Sequence, residues 1–98
     1  MELVEKQIKF TQNVSLLIQY AICIGYQVVI ADAARMDRRG HKKKSKHYEK
    51  LAIDLDVFRE NKPLESPEHS FKLGLFWESL EHVWGGRFKT ESYNHFEF

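Results

Sequence analysis

The hydrophobic positions near the start of the chain follow the period of a helix. Apolar side chains recur at steps of three and four residues, which places them on one face of a helix. These positions are Leu3, Phe10, Val14, Leu17, Ala21 and Ile24. They predict one amphipathic helix over residues 2–24. Gly25 follows directly, and a glycine at that place is typical of a helix C-terminus.

Strand patterns occupy three later stretches. A short β-branched run covers residues 26–31, an alternating apolar run covers residues 51–58, and a final alternation, "YNHFEF", covers residues 93–98. Each is short and bounded by turn-forming or polar residues, as strands are. We expect the first and second strands to be joined by an exposed segment, because residues 35–46 show neither the helical nor the strand period.

A second helix is predicted between the second and third strands. Ser66 is a good N-cap and Pro67 suits the first helical position, and the helix is expected to end at about Val83. Its predicted apolar face comprises Phe71, Leu75, Phe76, Leu80 and Val83. The order helix, strand, strand, helix, strand predicts an α+β fold, with a small antiparallel sheet packed against helices in a single domain, 1–98.

Composition supports a small globular protein. The chain has 98 residues, of which 43% are hydrophobic and 30% charged, and a net charge of +1. Its single cysteine, Cys23, excludes an intramolecular disulfide. No apolar run approaches the roughly 20 residues that span a bilayer, and the first residues lack a signal-peptide pattern. We therefore expect a monomer made in the cytoplasm without a signal peptide and not inserted in a membrane.

The charge is concentrated in one basic segment, residues 35–50. It holds eight Lys and Arg side chains against Asp37 and Glu49. Clustered basic residues supply affinity for phosphates, so a nucleic-acid-binding module is one alternative. Interleaved aromatic residues and a recognition helix are missing from the pattern, and this alternative is the least favoured.

Acidic residues interrupt the second predicted strand. One face of this strand carries Leu51, Ile53, Leu55 and Val57. The opposite face carries Asp54 and Asp56 beside the small Ala52. These carboxylates either form a solvated strand face or line a cleft. His47 lies just upstream, and His95 lies in a strand that can pair with this one. Two histidines and one aspartate on one face are a donor set for catalytic zinc.

Three segments together resemble a known peptidase family. "SKHYEKLAIDLDVF", "LGLFWESLEHVWGGRF" and "YNHFEF" resemble the zinc D-Ala-D-Ala carboxypeptidase and L-alanyl-D-glutamate endopeptidase family, specifically its short bacteriophage endolysin branch. The family pattern is Ser-x-His, six residues, Asp, then Trp-Gly-Gly, then an acidic residue three positions before His-Phe. "GYQVVIADAAR" resembles the segment of that branch that ends in a substrate-binding arginine.

The resemblance implies a zinc-dependent cell-wall hydrolase. One zinc ion per chain would be held by His47, Asp54 and His95. Arg35 would bind a substrate carboxylate or stabilise the oxyanion, and Ser45 would be a hydrogen-bond partner either of a metal ligand or of the substrate. The implied substrate is the stem peptide of bacterial peptidoglycan, which the protein would reach after delivery from the cytoplasm.

One position departs from the family pattern. Three residues before His95, where the family has its acidic general base, the chain has Ser92. We expect Glu91 to be the base, placed in the site by a one-residue bulge. Glu97 is the alternative, on the same strand face as His95 and roughly 7 Å along it. A zinc-binding pseudoenzyme that serves as a phage interaction protein is the alternative function.

The end of the second predicted helix holds three conspicuous ring residues. Trp77 is expected in the core, and His82 is expected at the helix C-terminus, where the helix dipole favours its charge. Trp84 precedes Gly85 and Gly86. It either packs in the core or lines the cleft as a substrate-binding residue.

Overall fold

The structure, a computed structural model, describes residues 1–32, 49–65 and 67–98. Five residues named above, Arg35, Asp37, Ser45, His47 and Ser66, lie outside these ranges, as does most of the basic segment. The helices are α1 (Leu3–Cys23) and α2 (Glu68–Ser79). The strands are β1 (Gln27–Asp32), β2 (Ala52–Arg59), β3 (Lys62–Pro63), β4 (Val83–Trp84) and β5 (His95–Glu97), and a short 3-10 helix covers Gly85–Arg87.

Helix α1 has the termini that its sequence predicts. At the start, the Glu5 side chain accepts a hydrogen bond from the backbone N–H of Glu2 at 3.1 Å. At the end, Gly25 adopts φ +96°. The N–H groups of Gly25 and Tyr26 donate to the carbonyls of Ile22 and Ala21 at 3.0 and 2.9 Å. This pair of bonds is the Schellman motif, in which glycine tolerates the left-handed conformation.

The strands form one antiparallel sheet in the order β1-β2-β5-β4, with β3 paired to the end of β2. Apolar residues of both helices and of one sheet face form a single core. Its largest contributors are Phe10, Leu17, Leu51, Leu55, Leu73, Trp77, Trp84 and Phe96. The α+β prediction is confirmed: both helices contribute to the core on one face of a small antiparallel sheet, and Asp54 and Asp56 lie on the other face.

Helix α2 ends four residues earlier than the sequence pattern predicts. The last turn tightens, with the N–H of Leu80 donating to the carbonyl of Trp77 at 3.0 Å, and Glu81 adopts φ +66°. Val83 then pairs with Glu97 of β5 instead of continuing the helix. The Trp77 indole N–H fixes this path by donating to the carbonyl of Val83 at 3.0 Å.

The buried face of α2 also differs from the predicted one. Phe71 and Leu75 are 42% and 54% exposed, whereas Leu73, Gly74 and Trp77 are buried. The indole of Trp84 lies against Gly74, where a Cβ atom would be only 2.2 Å from the ring. Helix α2 therefore turns its glycine position toward this ring. The period of the apolar residues alone does not reveal this orientation.

Among the ranges that the structure describes, neither helix has the length and apolar character that crossing a membrane requires.

Candidate functional site

Asp54 and His95 meet on the sheet face opposite the core. They are direct partners in the β2–β5 register, and Nδ1 of His95 lies 2.9 Å from Oδ1 of Asp54. Their side chains are only 24% and 13% exposed. The predicted pairing of the strands that carry these residues is confirmed, and the contact joins two of the three predicted metal ligands.

Glu97 reaches the other edge of the same imidazole. Its Oε1 lies 2.8 Å from Nε2 of His95, and its side chain is 19% exposed. Glu97 is two residues after His95 on β5, so both side chains point to the same face. Its register partner across the sheet is Ala52, whose methyl group leaves room for the longer side chain to bend toward the ring.

The two carboxylates determine the charge preference of His95. Burial of the ring disfavours the imidazolium ion, but the hydrogen bonds with Asp54 and Glu97 and their negative charges outweigh burial and raise the pKa of His95 above its ordinary value. Without metal, the ring is therefore an imidazolium between two carboxylates over a wider pH range than a solvated histidine.

The Asp54–His95 pair fits two of the ligands of a zinc site. Tetrahedral ligands about 2.0–2.1 Å from zinc lie roughly 3.3 Å from one another, close to the 2.9 Å between Asp54 and His95. The third predicted ligand, His47, lies outside the described residues. Within the described ranges, no group of three or more His, Cys, Asp or Glu side chains is arranged to hold a metal ion. The zinc site as a whole therefore stays a prediction.

A cavity of about 410 Å³ is lined by chain neighbours of the pair, although neither Asp54 nor His95 is among its lining residues. Its lining includes the residue after Asp54 on β2 and the residue before His95, namely Leu55 and Asn94. The carboxylates of Asp56, Glu65 and Glu91 also line it, together with His69. Asn94 donates to Asp56 at 3.2 Å. Such a mixed polar and apolar lining suits a peptide better than a purely apolar ligand.

Glu91, the predicted base, lines this cavity, and the hydrogen bond of its side chain within the described ranges is to Tyr93 rather than to Asp54 or His95. Its carboxylate accepts a short hydrogen bond from the hydroxyl of Tyr93. That bond, together with burial and the charge of Glu91, raises the pKa of Tyr93. Tyr93 therefore stays a neutral donor that orients Glu91. The catalytic role of Glu91 stays a prediction.

The glycine after Trp84 positions the loop that leads into β5. The carbonyl of Gly85 accepts from the N–H of Ser92 at 2.9 Å, and the carbonyl of Ser92 accepts from the N–H of His95 at 3.1 Å. A Cβ atom at Gly85 would lie 2.3 Å from the Ser92 carbonyl oxygen and 2.8 Å from Cβ of His95. Only glycine allows this approach, so Gly85 fixes where His95 enters the sheet.

The sequence allows Trp84 either to pack in the core or to line the cleft, and in the structure it packs in the core. It is fully buried, and its indole N–H donates to the carbonyl of Tyr93 at 2.8 Å. In this conformation the indole has no exposed surface with which to contact a substrate. Its contribution to the site is to hold Tyr93 and the loop around it.

His82 is a buried residue that the sequence pattern missed. Its ring lies against Trp77 and Phe98, with centroid distances of 4.5 and 4.9 Å, and Nε2 lies 2.7 Å from the amide nitrogen of Asn13. Burial of the ring lowers the pKa of His82, and the positive charge of Lys9 lowers it further. Nδ1 is buried without a hydrogen-bond partner among the described residues. No local signal could have found this environment, because it depends on α2 ending early.

Comparison with known proteins assigns no family to the chain. No protein-family model and no curated protein matches it. Its function is therefore inferred from its own motifs and contacts.

Proposed function

We propose that this protein is a zinc-dependent peptidase that cleaves the stem peptide of bacterial peptidoglycan, in the manner of a phage endolysin. The observation that carries the proposal is the contact between Asp54 and His95 across β2 and β5. These residues are 41 positions apart in the chain, and the family pattern described above requires both as ligands of the same metal.

The metal would be held by His47, Asp54 and His95. Bound zinc would supply Lewis-acid activation of water and of the scissile carbonyl. Asp54 and His95 are supported in this role by their partial burial, because shielding from water strengthens electrostatic interactions with a cation. Imidazole and carboxylate together are also ligands that zinc commonly takes in hydrolases.

The cavity lined by Asp56, Asn94 and Glu91 is the proposed place for the substrate. A peptide lying in it would contact the carboxylate that we propose as general base. Glu91 would accept a proton there, and the Tyr93 hydroxyl would hold its carboxylate in one orientation. Arg35 would hold a substrate carboxylate through a bidentate contact, and Ser45 would donate a hydrogen bond to the peptide.

A zinc-binding pseudoenzyme is the second candidate, and Ser92 favours it. Ser92 occupies the family position of the acidic base, and the hydrogen bonds by which it joins the site run through its backbone, to Gly85 and His95. A serine side chain cannot act as the carboxylate base that the family pattern places there. If no neighbouring carboxylate replaces it, the protein would bind zinc and a partner without hydrolysis.

Metal content and cell-wall hydrolysis, measured together, test the proposal. The purified protein should contain one zinc per chain and should lower the turbidity of permeabilised Gram-negative cells. Glu91→Gln should keep the zinc and lose hydrolysis by roughly 10²–10⁴-fold, since the amide keeps the shape but cannot accept the proton. Glu60→Gln is the matched control: it removes the same charge in the turn just after β2, about 20 Å from Asp54 at ~3.3 Å per residue.

Three results would redirect the proposal. A protein without stoichiometric zinc would contradict it. A larger loss of hydrolysis in Glu97→Gln than in Glu91→Gln, with zinc fully bound to both variants, would move the role of base to Glu97. An inactive wild type that gains hydrolysis through Ser92→Asp would establish the pseudoenzyme.

A further inference from the structure

We propose that Glu97 is a positioning residue for His95: it holds the imidazole so that Nδ1, and not Nε2, faces the metal. This inference rests on the proposed function, since it concerns the same metal. It assigns to Glu97 a task separate from proton transfer, and it specifies which nitrogen of His95 is the ligand.

The two edges of the imidazole have different partners. Nε2 lies 2.8 Å from the Glu97 carboxylate, and Nδ1 lies 2.9 Å from the Asp54 carboxylate. A carboxylate can only accept hydrogen bonds, and a neutral imidazole has one N–H and one acceptor nitrogen. A metal-ligating ring must present its acceptor nitrogen to the metal. Asp54 is itself a predicted ligand, so the metal belongs on the Nδ1 edge and the proton belongs on Nε2.

The backbone holds Glu97 in place from both sides. Glu97 pairs with Ala52 of β2 and with Val83 of β4, and its carbonyl accepts the Trp77 indole N–H at 3.0 Å. Its Cα position is therefore fixed by two strands and one helix. With the carboxylate shielded from most solvent, the contact with Nε2 is better protected from competition by water than a surface hydrogen bond.

This geometry separates Glu97 from the role of base. The Nε2 and Nδ1 atoms lie on opposite edges of the ring, and Glu97 contacts the Nε2 edge. A carboxylate held there cannot at the same time take a proton on the Nδ1 edge. Carboxylates that accept the second N–H of a metal-ligating histidine fix its tautomer and orientation, and their removal typically weakens metal binding about 10–100-fold.

Zinc affinity is the first measurement, by competition with a chromophoric chelator. Glu97→Ala should bind zinc about 10–100-fold more weakly than the wild type. Glu97→Gln should lose less, because its amide oxygen still accepts the Nε2 proton. Glu60→Gln, which removes the same charge outside the site, should bind zinc as the wild type does.

The tautomer of His95 is the second measurement, and it does not depend on activity. In the zinc-loaded wild type, nitrogen NMR of ¹⁵N-histidine should show His95 protonated at Nε2, with Nδ1 bound to the metal. Protonation at Nδ1 would overturn the inference. This result is decisive even if Glu97→Ala fails to fold, because it uses the wild-type protein.

The outcomes separate this inference from the proposed function. If the wild type binds zinc and both Glu97 variants bind it equally well, Glu97 is not a positioning residue, whereas the zinc site stands. If the wild type binds no zinc, both proposals fail. If Gln is as damaging as Ala, the charge of Glu97 rather than its orientation of the ring is what the site requires, and the positioning role is overturned.

Discussion

Replacing Gly85 by alanine should disturb both the fold and the proposed metal site, through one identifiable clash. The added Cβ would lie 2.3 Å from the carbonyl oxygen of Ser92 and 2.8 Å from Cβ of His95. Ordinary contacts of a Cβ atom begin at about 3.4 Å, so the loop before β5 must move by roughly 1 Å. Overpacking costs about 1–3 kcal/mol, and the lower entropy of the unfolded chain returns about 0.4–1 kcal/mol. We expect a net loss of roughly 1–2 kcal/mol in the free energy of unfolding.

The assay compares Gly85→Ala with Gly25→Ala, first by urea denaturation without metal. At about 4–8 °C per kcal/mol for a domain of this size, the Gly85 variant should also melt roughly 4–16 °C below the wild type. Gly25 has φ +96°, and a methyl group added there would meet no atom within 4 Å, so alanine at this position costs roughly 1–2 kcal/mol of backbone strain alone. Both variants should lose stability. Only Gly85→Ala should also weaken the stabilisation by zinc, because only its clash displaces His95.

Two results would refute this reasoning. A Gly85 variant as stable as the wild type would mean that the Trp-Gly-Gly segment does not approach the loop before β5. An equal zinc response in both variants would mean that the position of His95 does not depend on Gly85.

Three further expectations follow from other contacts. Zinc at a hundredfold excess over its dissociation constant should stabilise the wild type by about 2.7 kcal/mol in thermal unfolding, and His95→Ala should abolish the effect; no shift on adding a chelator to the zinc-loaded protein would contradict it. Burial lowers the pKa of His82 in the folded protein from its ordinary value of 6.5. The unfolded chain therefore takes up this proton more readily, and the stability that His82 contributes is lost as the pH falls below about 6.5. The wild type should therefore lose more stability than His82→Phe between pH 6.5 and pH 5 in urea denaturation, and parallel curves would refute the burial of a neutral ring. Gly74→Ala would place a Cβ 2.2 Å from the Trp84 indole and should destabilise by about 1–3 kcal/mol despite the higher helix propensity of alanine, which calorimetry can test.

The elements that the sequence predicts well are those decided locally. Helix α1 has a continuous apolar period and a glycine at its end, and both its buried face and its Schellman motif follow from them. Helix α2 fails at its end because its continuation is decided by distant partners. Val83 suits either a helix or a strand, and its pairing with Glu97 cannot be read from residues near Val83 in the chain.

In the candidate site too, the sequence predicts the features that are decided locally and fails for those that depend on distant residues. Strand alternation places Asp54 on the face opposite the core, and the structure agrees. The contact between Glu97 and His95 could not be predicted from the sequence. Alternate Cα atoms on a strand are roughly 7 Å apart, and this spacing does not show how far a glutamate side chain bends back along the strand. Trp84 was left with two alternatives, and His82 was wrongly expected at a helix C-terminus, for a related reason: each is buried by residues from other elements, so their own neighbours in the chain carry no signal.

Because of the position of β5, the site is assembled only in the completely folded protein. Among the residues that the structure describes, strand β4 joins the sheet only through β5, and β5 is three residues long. If β5 detaches, β4 loses its partner and Asp54 is separated from His95 and Glu97 in the same event. Contacts between residues so distant in the chain form late, after the cost of closing the intervening loop is met. Partly folded molecules would therefore lack the paired donors, and any chemistry of the site would begin only when the sheet closes.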